Sequence, residues 1–186
     1  MASRIFLDLK FHDIPNTVAG AVTAAADLPG VSMLTLHTLG GAEMMRAARR
    51  ALAVRKNAPK LLGVTILTSH DAASLRRVGI SGTPGQRALK LAKLAQESGM
   101  DGVVASAQEA RTIRRACGKD FLIVVPGIRP ALVAHQDQAR VATPAEAIRS
   151  GADYLVIGRS ITAAQNPRAA TIQILAEISD ALRGRS

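Results

Sequence analysis

A chain of 186 residues, 48% hydrophobic and 20% charged, has the make-up of one compact soluble domain with enough material to bury a substantial core. Its single cysteine, Cys117, has no second thiol for a disulfide or a cysteine-based metal site, and no apolar run approaches the roughly 20 residues of a membrane span. The excess of 24 Lys+Arg over 14 Asp+Glu, a net charge of +10, suits nucleic acid, an acidic membrane surface or a phosphorylated substrate.

The basic residues are scattered over helical stretches, as at Arg46, Arg49 and Arg50, and the aromatics are only Phe6, Phe11, Phe121 and Tyr154. Base-stacking platforms are therefore not expected, and the charge is read as a solvated helix face on a protein that handles anions, without nucleic-acid or membrane partners. The opening MASRIFLDLK places charge where a secretion signal carries its apolar stretch, so a cytoplasmic setting is expected.

Six short apolar runs follow one another with helical stretches between: residues 5–9 (IFLDL), 31–36 (VSMLTL), 60–67 (KLLGVTIL), 102–106 (GVVAS), 121–125 (FLIVV) and 154–158 (YLVIG). They are rich in Val, Ile and Leu and alternate little, as parallel strands covered on both faces do. Capping boxes stand at Thr83–Gln86, Ser106–Glu109 and Thr143–Glu146, with Pro84 and Pro144 at the first helical position. Helices are expected after Asn16, Gly40, Pro84, Ser106, Pro144 and Asn166. This alternation predicts an α/β fold in a single domain spanning residues 1–186, with no repeat beyond the βα unit.

A doubly wound open sheet and a (β/α)8 barrel both fit that order. The strand ends favour the barrel, whose functional groups gather where strands give way to loops. Asp8, Lys10 and Asp13 close the first run, His37 the second, Thr68 and Ser69 the third, Pro126-Gly127 the fifth and Gly158-Arg159 the sixth. On an extended strand side chains two apart share a side, so Asp8 and Lys10 should face one way. His12 and His37, without a clustered carboxylate or an H-x-x-x-H spacing, are read as structural, and no metal site is expected.

Taken alone, D-x-K-x-x-D is the mark of a strand-end ion pair. The full string LDLKFHDIPNT, residues 7–17, is far more specific and resembles the signature of orotidine 5'-phosphate decarboxylases. LHTLGG, GVTILTS, VVASAQEA, VVPGIRP, DQARVATP and YLVIGRSIT resemble further segments of that family in the same order, so the resemblance spans essentially the whole chain. Sugar-phosphate decarboxylases and aldolases of the same superfamily share only the D-x-K-x-x-D core and rank second.

The resemblance implies a TIM barrel that converts orotidine 5'-monophosphate to uridine 5'-monophosphate and CO2 in pyrimidine biosynthesis, with no cofactor. It makes Lys10, Asp8 and Asp13 catalytic, with Asp13, Ile14 and Thr17 reaching the partner's site in a homodimer. It gives Ser69 to the pyrimidine ring and Gln138 with Gly158 and Arg159 to the phosphate, Gln136 being the alternative to Gln138. Six βα units are readable where the family has eight, and LDLKFHDIPNT belongs to the family's third strand. An incomplete barrel is thus expected, without the first two units and the second lysine they ordinarily carry. A non-catalytic remnant that binds nucleotide phosphate is the alternative that this expectation raises.

Overall fold

The structure, a computed structural model, describes residues 4–130 and 141–184. Strands β1 (Ile5–Phe11), β2 (Val31–His37), β3 (Lys60–Val64), β4 (Gly102–Val104), β5 (Leu122–Val125) and β6 (Tyr154–Leu155) form one sheet. They lie side by side in chain order and every pair is parallel. A doubly wound sheet starts in the middle and reverses at a switch point, whereas a barrel adds strands in sequence. Chain order therefore selects the barrel-type arrangement, here a curled sheet of six strands.

Helices α1 (Pro15–Ala26), α2 (Gly41–Ala51), α3 (Ala72–Arg77), α4 (Pro84–Glu97), α5 (Ala107–Cys117), α6 (Pro144–Ser150), α7 (Arg159–Thr162) and α8 (Pro167–Arg183) connect and follow the strands. Side-chain alternation divides the core into two layers. Leu61, Val103 and Ile123 turn outward into a cluster completed by Val22 of α1, Met44 of α2 and Ile113 of α5, while their neighbours Leu62, Val104 and Val124 turn inward. Phe6 from β1 and Val156 just past β6 pack against the same inward cluster, so the two ends of the sheet curl toward one another.

The expected helix starts are present. Thr83 and Gln86 exchange hydrogen bonds of 3.2 and 3.1 Å, Thr143 and Glu146 bonds of 3.2 and 2.8 Å, and Glu109 accepts the Ser106 N–H at 2.8 Å and its hydroxyl at 2.6 Å. Helix α1 begins at Pro15, two residues before Thr17, because proline suits a first helical position whose N–H needs no partner. β3, β4 and β6 stop at Val64, Val104 and Leu155, short of the ends of their apolar runs; the remaining residues form the rim. Two short α-helices were not expected, α3, which Asp71 and Ser74 cap reciprocally, and α7, nor was the 3-10 turn Thr38–Gly40 ahead of α2.

At the opposite, N-terminal end of the strands the same clamp occurs twice. Arg49 of α2 donates to the Gly99 carbonyl at 2.7 Å and to Asp101, whose carboxylate also accepts the Leu61 N–H at the start of β3 at 2.8 Å. Arg114 of α5 donates to the Gly151 carbonyl at 3.0 Å and to Asp153 at 2.5 Å, and Asp153 accepts the Ile123 N–H of β5 at 2.7 Å. A repeat two strands long thus underlies the single βα repeat. Burial pushes the Asp101 carboxyl up, but the Leu61 N–H and the Arg49 guanidinium together hold it below its usual value.

Candidate active site

β1 departs from a regular ladder where its polar residues stand. Leu7 pairs with Leu34 and Phe11 with Leu36, so Asp8, Leu9 and Lys10 together face the single residue Thr35 of β2. Lys10 takes up the surplus length in the left-handed region, with φ 51°, and is the non-glycine residue there among the described residues. For a side chain without glycine's freedom this conformation costs about 1–2 kcal/mol, which the surrounding bonds must offset. Asp8 and Lys10 share a side as expected, but through this bulge rather than through a regular pleat.

Within the bulge the Lys10 Nζ donates to Asp8 Oδ2 at 2.6 Å. The Lys10 N–H donates to Thr35 Oγ1 at 2.9 Å, and the Thr35 hydroxyl donates to Asp8 Oδ1 at 2.8 Å. Thr35 is fully buried, whereas the charged pair is partly open to solvent, with side-chain exposures of 37% and 36%. Sequence reasoning missed Thr35. In VSMLTL it reads as one more β-branched strand residue, and its partners lie 25 and 27 positions away.

Asp8 and Lys10 open into a cleft of about 280 Å³ whose wall includes Thr68 and Ser69 after β3, Ala105 after β4 and Pro126 after β5. Lys10 is the one cation among the described residues that line it. A second depression of about 260 Å³ adjoins it through the shared Pro126 and Val156 and holds Gly127, Arg129, Gly158 and Arg159. A carboxylate–ammonium pair on an apolar floor thus stands beside a corner that carries two guanidiniums and glycine backbone, suited to a dianion. Gln136 and Gln138 lie outside the described residues.

Asp13, Ile14 and Thr17 stand away from this cleft. All three are exposed at the start of α1, Ile14 at 66%, and Asp13 accepts the Ile14 N–H at 2.7 Å. The His12 and His37 rings lie with centroids 5.4 Å apart and planes tilted by 42°. Burial, together with the neighbouring His12 and Lys10 charges, holds the His37 imidazole below its ordinary value against the opposing pull of Asp8. Among the described residues no three His, Cys, Asp or Glu side chains gather as a metal-binding group, and no helix is long and apolar enough to cross a membrane.

Known proteins agree with this architecture. A profile of the orotidine 5'-phosphate decarboxylase / HUMPS family matches residues 2–174. The orotidine 5'-phosphate decarboxylase of Nitrosococcus oceani is 58% identical over 176 residues, which cover 95% of this chain and 75% of the relative. That of Halorhodospira halophila is 54% identical over 177 residues, with the same coverage of each. The crystal structure of orotidine 5'-phosphate decarboxylase from Lactobacillus acidophilus superposes with a TM-score of 0.82 at 41% identity, over 94% of this chain and 75% of that one. An uncharacterized conserved protein from Geobacillus kaustophilus superposes at 0.79 with 38% identity, over 94% of this chain and 76% of that one. By sequence and by fold alike, the chain belongs to the orotidine 5'-phosphate decarboxylase / HUMPS family.

Proposed function

We propose that this chain acts as a carboxy-lyase, a cytoplasmic enzyme that decarboxylates orotidine 5'-monophosphate to uridine 5'-monophosphate in pyrimidine biosynthesis. The observation that carries the reading is the Lys10–Asp8 pair, 2.6 Å apart on the floor of a cleft that it shares with Ser69 and that adjoins the Gly158-Arg159 corner.

The chemistry follows from the charges. Breaking the bond between C6 of the pyrimidine and its carboxylate expels CO2 and leaves the electron pair on C6. An ammonium fixed beside that carbon stabilises the developing negative charge and then delivers a proton to it, after which solvent reprotonates the amine. Lys10 has the required charge and proton, so the step calls on no metal or organic cofactor. Asp8 accepts a hydrogen bond from the ammonium, and its negative charge near the substrate carboxylate disfavours the bound ground state relative to the state in which CO2 has left. Ser69 is suited to hydrogen-bond the ring, and Gly158 and Arg159 to hold the phosphate by close backbone approach and a charged fork; Gln138 joins them in this proposal. Asp13, Ile14 and Thr17, exposed at the start of α1, are proposed to complete the site of the partner subunit in a homodimer.

Purified protein incubated with orotidine 5'-monophosphate should release CO2, and Lys10→Ala should abolish the release. If the chain binds a 6-substituted uridine 5'-monophosphate but releases no CO2 from the substrate, the catalytic reading is wrong and the site is a nucleotide-binding one.

A further inference from the structure

We propose that Thr35 is the positioning residue of this site, its one hydroxyl holding both the backbone of Lys10 and the carboxylate of Asp8 in the geometry that decarboxylation requires. The inference rests on the decarboxylase reading and assigns a residue outside the D-x-K-x-x-D motif.

The argument begins with the bulge. Three residues of β1 oppose only Thr35, so the regular ladder supplies no fixed direction for Asp8 or Lys10. Their ion pair is too exposed to supply it, because two water-accessible charges on rotatable side chains hold each other only weakly. The left-handed backbone at Lys10 would also relax without an opposing restraint.

Thr35 provides that restraint, and hydrogen-bond polarity leaves one arrangement. A backbone N–H can only donate, so at 2.9 Å from Lys10 N the Thr35 oxygen must accept. Its single hydrogen is then free for Asp8 Oδ1 at 2.8 Å. The other carboxylate oxygen, Oδ2, takes the Lys10 ammonium. The chain from Lys10 N through Thr35 and Asp8 to Lys10 Nζ is therefore a closed loop, in which one buried hydroxyl fixes where the side chain starts and where it ends. Thr35 is fully buried, so water does not reach its hydroxyl, whereas the carboxylate it holds is partly open to solvent.

Three variants test the proposal: Thr35→Val, which replaces the hydroxyl by a methyl, Thr35→Ala, which removes hydroxyl and methyl together, and Thr35→Ser, which removes the methyl and keeps the hydroxyl. Two readouts apply to the full chain. The first is the intraresidue amide-to-Hα nuclear Overhauser effect of Lys10 in labelled protein, which is strong only at positive φ. The second is kcat and KM for CO2 release from orotidine 5'-monophosphate.

The hydroxyl-free variants should lose the strong Lys10 signal and drop kcat by about 100-fold, the penalty of an ångström-scale misplacement, with KM changing far less. Thr35→Ser should restore both. Wild-type kcat with the Lys10 signal intact in Val or Ala overturns the proposal, as does a Ser variant as impaired as Val. If Val does not fold, Ala against Ser makes the same comparison. A wild-type chain that releases no CO2 sinks the function proposed above, while the Lys10 signal in the three variants still decides whether the hydroxyl sets that conformation.

Discussion

Asp101→Asn isolates the charge of one clamp while keeping its shape. The asparagine oxygen can still accept the Leu61 N–H, so what disappears is the ionic bond with Arg49 and the 3.1 Å contact with Lys60. The Asp101 and Arg49 side chains are only 18% and 32% exposed, which puts their bond in the range of hydrogen bonds to charged groups, about 1.5–3 kcal/mol. Lys60 is 57% exposed and adds at most about 0.5 kcal/mol. The expected loss at pH 7 is about 1.5–3.5 kcal/mol, against a total stability of roughly 5–15, and the melting temperature should fall by roughly 3–14 °C. Urea unfolding of wild type and variant at a series of pH values measures it. Because the folded carboxyl is held below its ordinary 3.8, its contribution is complete above pH 3.8 and disappears as pH falls through the folded value. The gap between the two proteins should therefore close in acid. A gap below about 0.5 kcal/mol at pH 7, the level of an exposed pair, or one that persists unchanged well below pH 3.8, would refute the reasoning.

Lys10→Arg keeps the positive charge but offers a group too weakly acidic to give up its proton, so CO2 release should fall by about 10³-fold or more, as for Lys10→Ala; substantial turnover by the arginine variant would show that another group protonates C6. The depressed His37 imidazole keeps its ring neutral in the fold, so its contribution to stability is present above pH 6.5 and is lost as pH falls below it toward the folded value. Wild type should thus lose more stability than His37→Asn between pH 7.5 and 5.5, and parallel urea midpoints would contradict this. A Cβ added at Gly102 would lie 2.3 Å from the Leu122 carbonyl oxygen and 2.5 Å from Leu122 Cβ, so Gly102→Ala must spread β4 from β5. The expected cost is about 1–3 kcal/mol, and an unchanged denaturation midpoint would show that the sheet accommodates the methyl freely.

What could be read from the sequence was local or motif-bound. The apolar runs and three capping boxes depend on residues within seven positions of each other, and they placed all six strands and the helices that begin at Pro84, Ala107 and Pro144. The D-x-K-x-x-D string placed Asp8 and Lys10 in the cleft. Helix α3 escaped because its cap pairs Asp71 with Ser74 rather than Ser or Thr with an acidic or amide partner. The clamps escaped for a different reason. Arg49 and Asp101 are 52 positions apart, Arg114 and Asp153 are 39 apart, and an arginine on a helix gives no sign of which distant carboxylate it meets. The bulge at Lys10 was equally hidden, since it arises from a mismatch between two strands that neither strand shows alone.

The doubled clamp also bears on how such a chain changes over time. Both copies brace strand beginnings: Asp101 and Asp153 gather strand starts and helix ends on the face away from the cleft. The loops of the opposite rim, which carry Ser69, Arg129 and Arg159, are not part of that bracing. Selection can therefore rewrite those loops, lengthening one or exchanging the groups it presents, while the sheet beneath keeps its strand order. Within this scaffold, new ligand preferences are reachable without a new fold.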